Sequence, residues 1–153
     1  MTRGSQTSTL FAVLIGINKY KDPKIPDLCG AVGDADAIEN FLISEVGVMK
    51  DRIVNIRDEE ATREAIVKAL RDLAQSSAIH AQDPIFIYYA GHGSECPSPI
   101  NGWKTNAANG MMKMLLPHDF NLQGSNDVQG QGIFDIALSQ IFADIAMAKS
   151  DNI

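Results

Sequence analysis

Leu10-Phe-Ala-Val-Leu-Ile-Gly-Ile17 is the longest apolar run in the sequence, and it reads as a strand covered on both faces. Apolar residues at successive rather than alternate positions are what a strand inside a parallel sheet requires, because helices cover both its faces. The run is far short of the roughly 20 residues a membrane helix needs. It imitates the apolar part of a signal peptide behind Arg3, but Asn18, Lys19 and Tyr20 follow where a small-residue cleavage site belongs. Ile85-Phe-Ile-Tyr-Tyr-Ala90 is a second such run, introduced by Pro84 and stopped by Gly91-His92-Gly93-Ser94.

The remaining elements fall around these two runs. The segment Asn18 to Gly33, about 16 residues long, is a loop longer than a usual strand-to-helix connection, and such loops are commonly functional. Asp34 or a neighbour caps a helix that carries Ile38, Phe41 and Leu42 at helical spacing and stops at Gly47. Arg52 to Ile56 reads as a short strand. Thr62 caps a helix whose apolar face is Ile66, Ala69, Leu70 and Leu73. Glu95 to Asn109 reads as irregular, Met111 to Leu116 as a strand or hairpin arm, and Asn121 to Gly132 as loop. Asp135 caps a last helix with Leu138, Ile141, Phe142 and Ile145 on one stripe. Strand, helix, strand, helix, strand, helix is the pattern of an open, mostly parallel α/β sheet with helices on both faces, in flavodoxin-like order. The expected organisation is a polar tail over residues 1–9 and one domain over 10–153. A crossover helix normally delivers another parallel strand. The last helix ends near Lys149, so the domain reads as cut before its next strand.

Composition limits the function classes. The chain has 153 residues, 45% hydrophobic and 21% charged, the balance of a globular domain. Its formal net charge of −6 argues against nucleic acid, which needs clustered Lys and Arg. Cys29 and Cys96 are too few for a disulfide framework or a four-cysteine zinc site, and fit free thiols in a reducing cytoplasm. No phosphate loop, nucleophile elbow or His-Glu-x-x-His pattern is present, which leaves a nucleotide-binding flavodoxin-like reading weak. His80 reads as a helix end or surface loop and His118 as part of a turn.

Ligands in open α/β sheets sit beyond the carboxyl ends of the strands. Two segments meet that condition: the loop after the first strand, and Gly91 to Ser94 after the third. His92 suits general acid–base work because its proton exchanges near neutral pH. Its flanking glycines let the backbone turn sharply and leave peptide N–H groups accessible. A tight turn with a histidine at the strand end explains the same residues equally well.

Three segments in this order carry a resemblance: Phe11-Ala-Val-Leu-Ile-Gly-Ile-Asn18, Leu28-Cys-Gly-Ala-Val-Gly-Asp34-Ala35 and Tyr88-Tyr-Ala-Gly-His92-Gly93-Ser94. Together with Leu115-Leu-Pro-His-Asp119 and Gly132-Ile-Phe-Asp135, they resemble the large-subunit region of caspase-like cysteine peptidases, metacaspase-like in flavour, over about Leu10 to Ile153. The resemblance implies a cysteine–histidine dyad that cuts peptide bonds. His92 would be its catalytic histidine and the Gly93 N–H an oxyanion donor. Asp34 falls where metacaspases carry an aspartate in the pocket for the residue before the scissile bond, which implies protein or peptide substrates with Arg or Lys there. True caspases place an arginine nearby to select Asp; residues 18 to 34 hold Lys19, Lys21 and Lys24 but no Arg.

The departures concern the nucleophile. The family carries it on the next strand, in an Asp-x-Cys-His-Ser-Gly-like motif, and neither Cys29 nor Cys96 matches that position. Ala31 and Gly33 stand where metacaspases commonly have Cys and Asn. The chain alone is therefore expected to be inactive. A non-catalytic caspase-like interaction or scaffold module is the alternative. Calcium is a cofactor in many metacaspases, but Asp119, Asp127 and Asp135 are scattered over loops and a cap, so no metal site is assigned and no cofactor is expected. No membrane partner is expected.

Overall fold

The computed structural model describes residues 7–97, 110–123 and 131–153. Its main sheet is parallel, in the order β2-β1-β3: β1 is Phe11–Gly16, β2 is Ile53–Arg57 and β3 is Ile85–Ala90. β1 lies in the middle, with Ala12 opposite Ile53 on one side and Phe11 opposite Ile85 on the other. Its side chains divide by parity, as a pleated strand requires. Ala12 and Leu14 face α1 (Ala31–Ser44), sharing a core with Ala35, Leu42 and Val48. Val13 and Ile15 face the opposite layer, with Ile66, Leu70 and Leu73 of α2 (Arg63–Gln75) and Ile141 and Ile145 of α3 (Asp135–Lys149). The parallel α/β sheet with helices on both faces is thus as the sequence implies.

Local chemistry moves two of the expected boundaries and one buried position. α1 begins at Ala31, and Gly30 rather than Asp34 occupies the cap position. The side-chain cap comes from a distance: Asn18 Oδ1 accepts the Ala31 N–H at 2.9 Å. Phe41, expected on the buried face, is 56% exposed. The buried stripe instead runs through Ala31, Ala35, Glu39 and Leu42, and Phe41 lies about 100° round the helix from Leu42. Glu39 is tolerated inside because Asn55 Nδ2 donates to it at 2.7 Å and Arg57 and Lys50 pair with it. At α3, Phe134 is the cap residue; Asp135 is the first helical residue and its carboxylate accepts the Ile136 N–H. Thr62 does cap α2, accepting the Ala65 N–H at 3.2 Å.

A second, antiparallel sheet in the order β4-β5-β6 comprises β4 (Gly93–Pro97), β5 (Met111–Leu115) and β6 (Ile133–Phe134). β4 corrects the expectation of irregular chain from Glu95, and it takes Gly93 and Ser94 out of the expected turn. The segment 98–109 and most of the expected loop 121–132 lie outside the described residues. So does most of the expected tail, of which Ser8 pairs with Val48.

After α3 the chain runs back to the edge of β3 away from β1. Gln82 N–H donates to Lys149 O, and Ile85 N–H donates to Asn152 O at 2.9 Å. No helix among the described residues is long and apolar enough to cross a membrane.

Candidate active site

β1 and β3 are adjacent and parallel, so their carboxyl ends open at the same level. The loop leaving β1 and the Gly91–His92 connection leaving β3 meet there. The first is clipped in place by hydrogen bonds. Asp58 Oδ1 accepts the N–H groups of Asn18 and Lys19 at 2.7 and 2.9 Å. Leu28 N–H donates to Asn18 O, and Lys21 N–H donates to His118 O. His118 Nδ1 lies 2.7 Å from the Lys19 carbonyl oxygen, which can only accept, so it donates. His118 thus fastens the loop rather than standing free in a turn. Asp58 has φ of 40°, a region that aspartate tolerates better than most side chains.

His92 sits under this loop, half-buried. Its Nε2 lies 2.8 Å from the Pro26 carbonyl oxygen. That oxygen cannot donate, so Nε2 carries the proton, and in the neutral ring Nδ1 keeps its lone pair. Pro26 is a site residue that sequence reasoning missed. The contribution is a backbone carbonyl, which no motif advertises.

The His92 backbone is held on both sides. Its N–H donates to the Tyr20 hydroxyl at 2.7 Å, and the Tyr20 ring tilts against the imidazole at 5.1 Å between centroids. Its carbonyl accepts from Leu116 N–H at 3.0 Å and from the Tyr89 hydroxyl at 2.8 Å. Burial raises the pKa of both phenols, that of Tyr89 further, so both hydroxyls stay protonated. Gly91 makes this convergence possible. A Cβ there would stand 2.7 Å from the Tyr89 hydroxyl oxygen and 3.0 Å from that of Tyr20.

Gly93 pairs with Leu115, and the Leu116-to-His92 bond makes that a position without direct hydrogen bonds between the paired residues. The Gly93 N–H therefore points away from β5 and finds no acceptor among the described residues. Asp34 is exposed in the first turn of α1, at the start of the helix that follows the same loop. A cavity of about 530 Å³ opens beside Gly93, which lines it together with Glu95, Lys113, Leu115, Asp135 and Leu138 among others; neither His92 nor Asp34 is among its described lining residues.

Neither thiol hydrogen-bonds the imidazole. Cys29 is exposed and Cys96 is half-buried on β4, both free, and neither hydrogen-bonds His92. Of the acidic residues considered for calcium, Asp119 accepts the Arg63 N–H at the start of α2, Asp135 accepts that of Ile136, and Asp127 lies outside the described residues. No three His, Cys, Asp or Glu side chains converge into a metal-binding group among the described residues.

The chain is similar to known proteins along most of its length. It is 31% identical over 119 residues to Metacaspase-1 of Eremothecium gossypii, and 30% identical over 119 residues to Metacaspase-3 of Arabidopsis thaliana. Each match covers 74% of this chain but only 25% and 31% of those relatives, so the chain spans about a quarter to a third of their length. A crystal structure of a Geobacter sulfurreducens protein superposes with a TM-score of 0.65 at 18% identity, over 88% of this chain and 45% of that one, which shows the shared fold. The caspase domain model of the C14 peptidases matches residues 9–144, and with that span the chain belongs to this family of cysteine peptidases.

Proposed function

We propose that this chain is the histidine-bearing part of a cysteine endopeptidase that cleaves after Arg or Lys by a cysteine–histidine dyad. One observation carries the reading. At the carboxyl end of β3, the Pro26 carbonyl holds the Nε2 proton of His92, which leaves Nδ1 as the base, and the next residue directs away from β5 an N–H that has no acceptor among the described residues.

The chemistry follows from these groups. A cysteine thiol gives its proton to Nδ1 and the thiolate attacks the scissile carbonyl carbon. Negative charge moves to the carbonyl oxygen, and Gly93 N–H donates to it. The imidazolium then protonates the departing amine as the C–N bond breaks. Water, deprotonated by the same Nδ1, hydrolyses the acyl-enzyme and frees the thiol. The Pro26 carbonyl accepts from Nε2–H at each stage, which keeps the ring oriented with Nδ1 towards the reacting groups. A reducing, cytoplasmic setting suits this chemistry because it keeps the thiol free.

The thiol is neither Cys29 nor Cys96, neither of which hydrogen-bonds the ring. In a longer gene product, residues beyond Ile153 would continue parallel to β3 in the register set by the Ile85-to-Asn152 bond. A cysteine at the end of such a strand would come level with His92. The 153 residues alone would then hydrolyse no peptide.

Asp34 supplies the preference for a basic residue, as an exposed carboxylate at the head of α1 beside the loop that contacts His92. The test uses the complete gene product on peptides that differ only in the residue before the cut. Arg and Lys peptides are expected to be cleaved and Asp peptides spared. Asp34→Asn should lower kcat/KM on the basic peptides roughly ten- to a hundredfold, the worth of one charge-assisted hydrogen bond. Cleavage after Asp, or indifference to Asp34→Asn, would refute the specificity. A gene product that is correctly folded, inert to every peptide and unreactive to thiol alkylation at the site would favour the interaction module instead.

A further inference from the structure

We infer that Tyr20 and Tyr89 are positioning residues that set the direction of the His92 imidazole and of the Gly93 N–H, the inference resting on the catalytic reading of those two groups. The two hydroxyls grip opposite ends of one residue: Tyr20 accepts the His92 N–H and Tyr89 donates to the His92 carbonyl. A peptide unit is planar, so its N–H points opposite to its C=O. Fixing the His92 carbonyl on Tyr89 and Leu116 therefore fixes the Gly93 N–H of the same peptide, facing away from β5. An oxyanion donor is effective only when it is aimed in advance at the place where charge develops.

Tyr20 acts on the other group. It holds the His92 N–H and lays its ring against the imidazole, while Pro26, six residues on in the same loop, holds Nε2. Backbone and ring of the histidine are thus tied to one loop. The single Tyr89 hydroxyl proton is shared between the His92 and Leu116 carbonyls, each 2.8 Å from the oxygen, which ties the connection to the strand it leaves and to the end of β5. The absence of a side chain at Gly91 is what admits both oxygens, since a Cβ would overlap them. A purely apolar role would need the rings and not the hydroxyls. Two oxygens converging on one backbone residue are a polar device.

Tyr88 provides the internal control. It neighbours Tyr89 on β3 but points to the other face, where it packs on the α1 core. In the complete gene product, Tyr89→Phe and Tyr20→Phe should each lower kcat about tenfold to a hundredfold, the range for catalytic groups displaced by a fraction of an ångström to one ångström. KM should stay within about twofold, and Tyr88→Phe should leave both constants unchanged. In the 153-residue chain, nitrogen NMR of the His92 ring should show the Nε2–H tautomer, with Tyr20→Phe shifting it towards a mixture.

Unchanged kcat in both hydroxyl-deletion variants would overturn the inference, and so would an equal loss in Tyr88→Phe tracking thermal stability. If Tyr89→Phe fails to fold, Tyr20→Phe and the tautomer measurement decide. His92→Ala separates this inference from the reading beneath it. Inactive His92→Ala with fully active tyrosine variants sinks the positioning role alone, whereas active His92→Ala sinks the catalytic assignment and the positioning role with it.

Discussion

The parallel sheet and the antiparallel sheet of this molecule join at Gly91 and His92, and they are built differently. In β1, residues 12 to 15 are at most 1% exposed, closed by α1 on one face and by α2 and α3 on the other. In β4, four of five residues are exposed, and β5 is its strand neighbour in the sheet. One sheet is a core that fixes position. The other extends from the candidate site, and its Gly93 N–H faces away from β5 with no acceptor among the described residues. The difference gives the first sheet the deeper burial and leaves the candidate site at the junction, and it can be broken in steps.

The largest effect is expected from Leu14→Ala. It empties a fully buried position and should reduce unfolding free energy by about 2–5 kcal/mol. Leu115→Ala in β5, half-exposed, should lose clearly less by the same chemical denaturation. Leu115 packs on the core that also holds Val13 and Ile15 of β1, so equal losses would mean that partial burial there counts as much as the full burial of Leu14.

Glycines sharpen the comparison. A Cβ on Gly16 would lie 2.7 Å from the Ala31 carbonyl oxygen and 2.9 Å from the Val32 Cα, both backbone of α1. Gly16→Ala must push the helix away and should destabilise by about 1–3 kcal/mol. The three atoms nearest a Cβ on Gly132 all belong to the Met114 side chain; Sδ and Cγ can rotate aside, and Cβ at 3.1 Å needs a shift of a few tenths of an ångström. Gly132→Ala should therefore change the melting temperature little.

Asn18→Ala removes the side-chain cap of α1 and should lower stability by about 1 kcal/mol. The backbone bonds from residues 18 and 19 to Asp58 persist in that variant, so the loop should keep its path. Loss of the His92–Pro26 contact by NMR would show that the cap also holds the loop.

The smallest effect is one of pH. Asp83 is held below its ordinary carboxylate value, first by the His80 N–H and also by Arg52, which clasps the amino ends of the parallel strands. A carboxylate depressed in the folded state stabilises above its unfolded value, near 3.8, and that contribution is lost as pH falls through the folded value. Thermal unfolding should steepen its decline below about pH 4, by a fraction of a kcal/mol, and Asp83→Asn should flatten it.

The same contrast explains what was legible in the sequence. β1 and β3 announce themselves because burial on two faces demands an unbroken apolar run. α2 does so because Thr62 and its stripe follow helical spacing. β4 stayed hidden because Gly93-Ser-Glu-Cys-Pro97 has no alternating apolar face and owes its strand conformation to pairing with β5. Phe41 misled because a buried glutamate, not an aromatic residue, completes the inner stripe of α1. At the candidate site, His92, Gly93 and Asp34 could be named from a motif. Pro26, Tyr20 and Asn18 could not, because they act through a carbonyl, a hydroxyl and a remote cap, and only the folded loop brings these to the strand ends.

The most direct test of the central claim is turnover by the complete gene product with and without the His92 imidazole. His92→Ala should lower kcat on an Arg peptide by about 10²–10⁴, the range for loss of a general acid–base group, and leave the unfolding midpoint close to that of the parent protein. Undiminished cleavage by a folded His92→Ala protein would contradict the account.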